Sequence, residues 1–184
     1  MAHARLITSF LLASALLGAC TGDAPEPSPT PAGAGQPDNP LLAMTDTARV
    51  TVGGERFTVA LALDQDTRVK GLGDVPEIPP DRGMLFVFPT DQYLSFVMRD
   101  CKVDIDIAYL TEKGRIGRIH TMKMDPRQEG EGDFAYEMRL ERYPSGFPAR
   151  MALELRAGTL ERLGVSVGDV VEIEDLEALK GRAE

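Results

Sequence analysis

The residues with the greatest chemical potential are concentrated between Gly83 and Met124, where four apolar runs are separated by turn residues. We expect any functional site to lie in this stretch. Its candidate groups are one thiol, two closely spaced carboxylates and a series of soft metal ligands, namely Cys101, Asp104, Asp106, His120, Met122 and Met124.

Two aspartates could act together. Asp104 and Asp106 would lie on one face of an extended strand, because side chains along a strand alternate between faces. Two such carboxylates could bind a hard cation or share a proton, or they could form a solvated edge, which is the more common arrangement. Together with Ser95, Asp100 and Cys101 they form the predicted ligand-binding face.

A histidine and two methionines suggest a metal. His120, Met122 and Met124 share a face if residues 115–124 are extended, and thioether and imidazole ligands suit copper, above all Cu(I). Cys101 could join them from a neighbouring strand. Alternatively, the methionines fill the core and His120 is a hydrogen-bonded polar residue. Copper is the one cofactor that these residues suggest, and the sequence requires none.

Catalysis by the thiol is a further hypothesis. Cys101 would need a nearby base and a lowered pKa to act as a nucleophile, and His120 is the only histidine outside the amino-terminal segment. The chain has no thiol-hydrolase signature, no Gly-x-Ser-x-Gly, no His-Glu-x-x-His and no Walker loop. A buried, inert thiol is the alternative, and we expect a protein without enzymatic activity.

The elements that must position these groups are mostly strands. Residues 49–52 and 56–63 flank Gly53-Gly54, which is typical of a hairpin. The pattern also predicts strands at 84–88, 93–98, 105–110, 115–124, 149–155 and 170–173, and helices at 64–73 and 159–164, the second capped by Thr159. We predict an α+β, β-rich fold, a curled or barrel-like, mainly antiparallel sheet with one or two short helices.

The amino terminus has the pattern of an export signal. A short basic start precedes an apolar run from Leu6 to Leu17, which is too short to span a membrane. The ending Leu17-Gly18-Ala19-Cys20 resembles the lipobox of bacterial lipoproteins, which implies that Cys20 becomes the lipidated first residue. Cys101 would then have no disulfide partner in the chain.

The rest of the chain divides by composition. We expect a disordered, proline-rich tether at 21–43, a single globular domain at 44–175 and a frayed tail at 176–184. The net charge of −9 argues against nucleic-acid binding. The expected location is the bacterial cell membrane, with the domain on the periplasmic or surface side.

Several short motifs occur in a fixed order: Gly83-Met84-Leu85-Phe86, Ser95-Phe96-Val97-Met98-Arg99-Asp100-Cys101, Asp106-Ile107-Ala108-Tyr109, Gly114-Arg115-Ile116, Ala157-Gly158-Thr159 and Val167-Gly168-Asp169. In this order they resemble the prokaryotic domain of unknown function 192 family. The resemblance implies a small, often exported protein with a compact β-rich fold, and it implies no activity. Val97 stands where that family usually has Trp.

The sequence therefore predicts a membrane-anchored lipoprotein whose domain binds a small ligand or a cell-envelope partner without catalysis. A copper-binding periplasmic protein and a Cys-His thiol enzyme are the second and third hypotheses.

Overall fold

The computed structural model describes residues 39–184. The predicted signal, Cys20 and most of the predicted tether lie outside this range. Residues 39–43 of that tether, however, are folded. Leu41 is buried, and the Asn39 side chain accepts a hydrogen bond from the Leu41 amide and donates one to the carbonyl of Glu77. The folded region therefore begins earlier than the composition indicated.

The strands are β1 (Thr47–Val52), β2 (Glu55–Ala62), β3 (Arg82–Phe96), β4 (Ile105–Leu110), β5 (Ile116–Met122), β6 (Tyr143–Arg156) and β7 (Glu172–Ile173). The helices are α1 (Pro40–Ala43), α2 (Gln65–Lys70), α3 (Asp133–Arg139), α4 (Thr159–Arg162) and α5 (Leu176–Arg182).

The strands form one mixed, curled sheet in the order β5-β4-β6-β3-β2-β1-β7. Every neighbouring pair is antiparallel except β2 and β3, which run parallel because α2 and its following loop carry the chain back to the same end of the sheet. The sheet curls until residues before β7 meet β5: Arg115 bridges Val170, and the Ile116 amide donates to the Asp169 carbonyl at 2.8 Å. The predicted β-rich, curled, mainly antiparallel fold is confirmed.

Both faces of the sheet are covered. Leu85 and Leu153 belong to one apolar cluster, which α4 and α5 help to cover, while Met84 and Ala152 belong to a second cluster on the opposite face. Because alternate residues enter separate cores, the central strands are apolar almost throughout, and all six residues of β4 are buried.

Two local predictions need correction. The predicted strands at 84–88 and 93–98 are one strand, β3, because the break in its pairing with β6 between Val87 and Gln92 tolerates Pro89, which has no amide hydrogen to donate. Helix α4 begins at Thr159 instead of being capped by it, and Gly158 is the capping residue.

The carboxyl-terminal segment is also more ordered than the predicted frayed tail. Leu179 of α5 is buried, Arg182 forms an ion pair with Asp46, and the Glu184 amide donates to the Leu63 carbonyl at 2.9 Å. The apolar contact and these polar contacts hold α5 against the sheet.

Strands β3 and β6 approach each other closely at Gly83. A Cβ atom at this position would lie 2.3 Å from the backbone oxygen of Glu154 and 2.6 Å from Cδ2 of Leu155. Only glycine fits there without a shift of the backbone. This close approach fixes the position of Glu154 in the middle of the sheet.

Candidate functional site

A cavity of about 290 Å³ lies on the face of the sheet that carries Met84 and Ala152. Its walls come from α2 and the three residues after it, from β3 between Phe86 and Phe96, from the segment that follows β3, and from β6. We call it the α2–β3 cavity. The lining residues used below are Arg68, Lys70, Phe86, Phe88, Tyr93, Ser95, Phe96, Arg99, Cys101 and Glu154.

Aromatic rings form much of the wall. Phe86 and Phe96 meet edge to face, with ring centroids 4.9 Å apart and planes at 89°, and Phe96 makes a similar contact with Tyr109 of β4 at 5.8 Å. Edge-to-face packing of this kind holds the rings in fixed orientations. The cavity therefore presents a firm apolar surface to anything that enters it.

Arg68 of α2 is fixed in place by backbone carbonyls. Its Nη1 donates to the Leu63 carbonyl at 2.6 Å and to the Val87 carbonyl at 3.0 Å, and Nη2 donates to the carbonyl of Glu184. The guanidinium also lies 5.0 Å from the centroid of the Phe88 ring. Its Nε is buried and has no hydrogen-bond partner within residues 39–184.

Glu154 is the most unusual residue of the cavity. It lies on the central strand β6, directly opposite Met84 of β3 and Ile107 of β4, and only 4% of it is exposed. Within the described part of the chain its carboxyl has no ion-pair or hydrogen-bond partner, and burial alone raises its pKa from 4.5 to about 8. At neutral pH the group is therefore mostly an uncharged carboxylic acid.

Cys101 lies beside this acid, and its thiol is protonated at neutral pH. Burial is the largest cause that raises the pKa of the thiol to about 12, followed by the charges of Glu154, Asp100 and Asp74. Its Sγ is 3.6 Å from the Arg99 carbonyl oxygen. A thiolate nucleophile needs the opposite environment, with cations that lower the pKa.

The family of the chain follows from a comparison with known proteins. The family model of domain of unknown function 192 (DUF192), described as "Uncharacterized ACR", matches residues 48–173. The chain belongs to the DUF192 family. The α2–β3 cavity lies entirely within the matched region of this DUF192 domain.

Two solved structures are similar to this DUF192 domain. One, from Sinorhizobium meliloti 1021, was named as a candidate transcription regulator; it is 32% identical, with a TM-score of 0.58, over 69% of this chain and 93% of that chain. The other, a protein of unknown function from Novosphingobium aromaticivorans DSM 12444, is 24% identical, with a TM-score of 0.55, over 68% and 83%. No curated protein matches the chain. These likenesses support the fold.

Of the predicted ligand-binding residues in this DUF192 domain, Ser95 and Cys101 line the cavity, whereas Asp100 does not. Asp100 has a positive φ of 56°, its amide donates to the Tyr136 hydroxyl at 3.0 Å, and its carbonyl accepts from the Asp74 amide at 2.9 Å. Asp100 therefore shapes the turn that carries Cys101.

The two aspartates that were predicted to share a face have separate structural roles. Asp104 precedes β4 and accepts hydrogen bonds from the Met124 amide and from Lys123, which hold the pKa of its carboxyl below the usual value. Asp106 is buried. It accepts from the Thr121 hydroxyl at 2.8 Å and from the Leu160 amide at 3.0 Å. Neither residue lines the α2–β3 cavity.

The predicted copper ligands differ in their surroundings. Met122 is fully buried in the core, and 44% of Met124 is exposed. His120 packs its ring against Tyr109 and Tyr143. Its Nε2 lies 2.9 Å from the Pro144 carbonyl, so this nitrogen carries a proton. Among residues 39–184, no group of three or more His, Cys, Asp and Glu side chains is arranged to hold a metal ion.

Sequence reasoning missed two polar residues of the cavity, Arg68 and Glu154. Arg68 belongs to the helix predicted at 64–73, and Glu154 stands between Leu153 and Leu155 in the strand predicted at 149–155. Neither was among the predicted site residues. The available signal was the neighbouring Ala152, which, with Met84 opposite Glu154, indicated that the other face is apolar too.

The described part of the chain gives no sign of a membrane-spanning helix: none between residues 39 and 184 combines the length and the apolar character that a span requires.

Proposed function

We propose that this chain is an exported, lipid-anchored DUF192 protein whose domain binds a small molecule in the α2–β3 cavity and does not catalyse a reaction. The observation that carries the proposal is the carboxyl of Glu154, which is buried at the cavity without a partner.

A partnerless buried carboxyl is costly to the fold. A polar group that leaves water without gaining a hydrogen bond loses its full hydration, and a charge in the same place loses far more. Such groups cluster at functional sites, because binding and chemistry need polar atoms that are not already satisfied within the protein. The aromatic wall adds an apolar surface.

The size of the cavity indicates the size of the ligand. About 290 Å³ lies at the lower end of the range for small-molecule pockets, which is roughly 300–1,000 Å³. The site therefore suits a compact metabolite, because a large cofactor or a polymer would not be enclosed. The exposed positions of Tyr93 and Ser95 on β3 leave an opening to solvent.

The chemistry of the cavity favours binding over catalysis. Covalent catalysis requires a nucleophile together with a base that activates it. Cys101 is held as a thiol with a pKa of about 12, and His120 does not line the cavity. Glu154 is an isolated acid without a second carboxyl or imidazole in the lining.

The proposed anchoring rests on the amino-terminal sequence. Leu17-Gly18-Ala19-Cys20 has the form of a lipoprotein processing site, and the following residues are rich in proline, alanine and glycine. Lipid on Cys20 would place the binding domain outside the cytoplasm. The net charge of −9 does not favour a nucleic-acid partner, so the regulator name of the Sinorhizobium relative is not extended to this chain.

A ligand screen tests the binding site. The full chain is screened against a library of small metabolites by thermal denaturation, and hits are repeated with Ser95→Trp, which places an indole at the cavity opening. We expect at least one metabolite to raise the melting temperature of the wild type and not that of Ser95→Trp. Ser166→Trp, a matched change at an exposed turn outside the cavity, should keep the response.

The outcome decides between clear alternatives. A library without a single stabilising compound, or hits that Ser95→Trp leaves unchanged, would contradict binding in this cavity. The anchor is tested separately by mass spectrometry of the chain produced in a bacterial host. Acylated Cys20 as the first residue is expected, and an unprocessed chain or an unmodified Cys20 would contradict anchoring.

A further inference from the structure

We infer that the α2–β3 cavity selects small molecules that carry an amine, whose ammonium group pairs with the carboxyl of Glu154. This inference rests on the proposed small-molecule binding and adds the chemical class of the ligand.

The environment of Glu154 lacks the cation that a buried carboxylate requires. Glu154 is 4% exposed and has no ion-pair or hydrogen-bond partner within residues 39–184. A ligand ammonium would supply both a counter-charge and donors, and buried carboxylates are held in proteins by such pairing. A ligand without a donor would leave the acid as unsatisfied as it is in the free protein.

Three acids act on the Cys101 thiol at the edge of the cavity. The carboxylates of Glu154, Asp100 and Asp74 all act on the Cys101 thiol, opposed in part by Lys102, and Lys102 is paired with Asp74 at 3.2 Å. Of these three acids only Glu154 lines the cavity. Tyr109 of β4 also lies near Glu154 and holds its proton, because burial and this acid raise the pKa of the phenol.

The aromatic wall contributes a second attraction for a cation. Phe86 and Phe96 line the cavity together, and the face of an aromatic ring attracts an ammonium group within about 6 Å of the ring centroid. The same rings would bury the apolar part of an amine. An acid at the floor with aromatic side walls is thus a site for an amphipathic cation.

Two of the three cationic side chains of the wall, Arg68 and Arg99, are hydrogen-bonded to groups of the protein. The guanidinium of Arg68 donates to three backbone carbonyls. Arg99 is paired with Glu137, with Nη2 2.6 Å from Oε2 and Nε 2.8 Å from the same oxygen. Lys70 is exposed at the carboxyl-terminal end of α2.

Proton balance provides a direct signature. At pH 7 Glu154 is mostly protonated, while a primary amine with a pKa of about 10 is an ammonium ion. When the ammonium binds, the carboxyl gives its proton to the solvent and forms a carboxylate–ammonium pair. Close to one proton is therefore released for each amine bound.

The experiment uses three probes that share a benzyl or phenyl body: benzylamine, benzyl alcohol and benzoate. Each is titrated calorimetrically into the full chain at pH 7 in two buffers of different protonation enthalpy. We expect benzylamine to bind roughly 30-fold or more tightly than the other two probes and to release about one proton. The Glu154→Gln variant should lose this preference and the proton release, while Glu161→Gln, an exposed glutamate outside the cavity, should keep both.

Each result bears on the inference. A benzylamine affinity within a few-fold of that of benzyl alcohol, binding without proton release, or an unchanged preference in Glu154→Gln would overturn it. If alcohols, acids or other library compounds bind and Ser95→Trp blocks them, the amine inference fails while the proposed binding site stands. If no compound of any class binds, both fail.

Discussion

The buried acid predicts an unusual pH dependence of stability. A group whose pKa is raised on folding keeps its proton more readily in the folded state, so the free energy of unfolding falls as the pH rises from the unfolded pKa towards the folded pKa. For Glu154 these values are 4.5 and about 8. The stability is therefore unaffected by this group below pH 4.5 and decreases steadily between about pH 4.5 and 8.

The magnitude follows from the same two values. Each pH unit between them lowers the free energy of unfolding by about 1.4 kcal/mol. From a pKa of 4.5 to one of about 8, the loss amounts to roughly 5 kcal/mol above pH 8 and roughly 3 kcal/mol at pH 7. A typical domain has only about 5–15 kcal/mol in total, so the effect is large enough to be measured.

Glu154→Gln is the perturbation that isolates this term, because glutamine has nearly the shape of the protonated acid and cannot ionise. Urea unfolding of the full chain is followed by far-ultraviolet circular dichroism between pH 5 and 8, since the chain has no tryptophan. We expect the wild type to lose stability with rising pH and the variant to lose at least ~2 kcal/mol less over this range. Glu161→Gln should follow the wild type.

Other ionisable groups of the domain do not imitate this signal. The carboxyls of Asp64 and Asp104 have pKa values below their usual range because backbone amides and neighbouring side chains bond to them. Their contributions have the opposite sign and are lost only as the pH falls through those lowered values. Parallel curves for the wild type and Glu154→Gln between pH 5 and 8 would refute the assignment of a protonated Glu154.

Three further predictions concern Gly83, Asp106 and Cys101. Gly83→Ala should destabilise the domain by about 1–3 kcal/mol or more in urea unfolding, because its Cβ would lie 2.3 Å from a backbone oxygen of β6. Gly181→Ala is the control and should be neutral or stabilising, because a Cβ at Gly181 would meet no atom within 4 Å. Equal effects of the two substitutions would contradict the packing argument. Asp106→Ala should lower the free energy of unfolding by about 1–3 kcal/mol, because it leaves the buried Leu160 amide without an acceptor. Asp104 is more exposed, and Asp104→Ala should lower it by about 1 kcal/mol or less. The reverse order would contradict the roles assigned to the two aspartates. Cys101 should react with iodoacetamide roughly 1,000-fold more slowly in the native chain than in urea at the same pH, because folding raises the pKa of its thiol from 9.0 to about 12. The rates are measured by peptide mass spectrometry. Comparable rates in the two conditions would contradict the raised pKa.

Much of the fold could be predicted because its strands have strong local signals. The hairpin turn at Gly53 and Gly54 has positive φ values at both residues, 55° and 84°, which is the backbone geometry that two successive glycines favour. The apolar run of β4 is fully buried, as continuous apolar strands usually are. Local composition and period are sufficient where a single segment determines its own conformation.

The parts that could not be predicted depend on long-range pairing. The parallel pairing of β2 with β3 places Ala60 opposite Met84, and no local pattern distinguishes it from an antiparallel pair. The order of α5 likewise depends on contacts with distant residues such as Asp46. Ser95 and Cys101 both line the cavity, because β3 and the turn that follows it are adjacent in the chain.

Glu154 illustrates the limit of reasoning from one strand. Alternation along β6 is typical of a strand with one buried face, and Met151 and Leu153 are buried. The opposite face is also buried, because the loops that follow α2 and β3 cover it with Leu72 and Met98. The sequence of β6 does not reveal this cover, so a buried acid has the same local pattern as a solvated one.

The energetics of this position favour a functional reason for the acid. The face around Glu154 is apolar, with Met84 and Ile107 directly opposite it in the neighbouring strands, so a leucine there would avoid the loss of roughly 3 kcal/mol at pH 7 that the glutamate imposes. Stability alone would therefore not retain a glutamate at this place. A ligand that pairs with the carboxyl would recover much of that free energy on binding, and stability given up at a binding site in this way is a common feature of functional residues. The bound domain should accordingly be more stable than the free domain, and by a larger margin in the wild type than in Glu154→Gln.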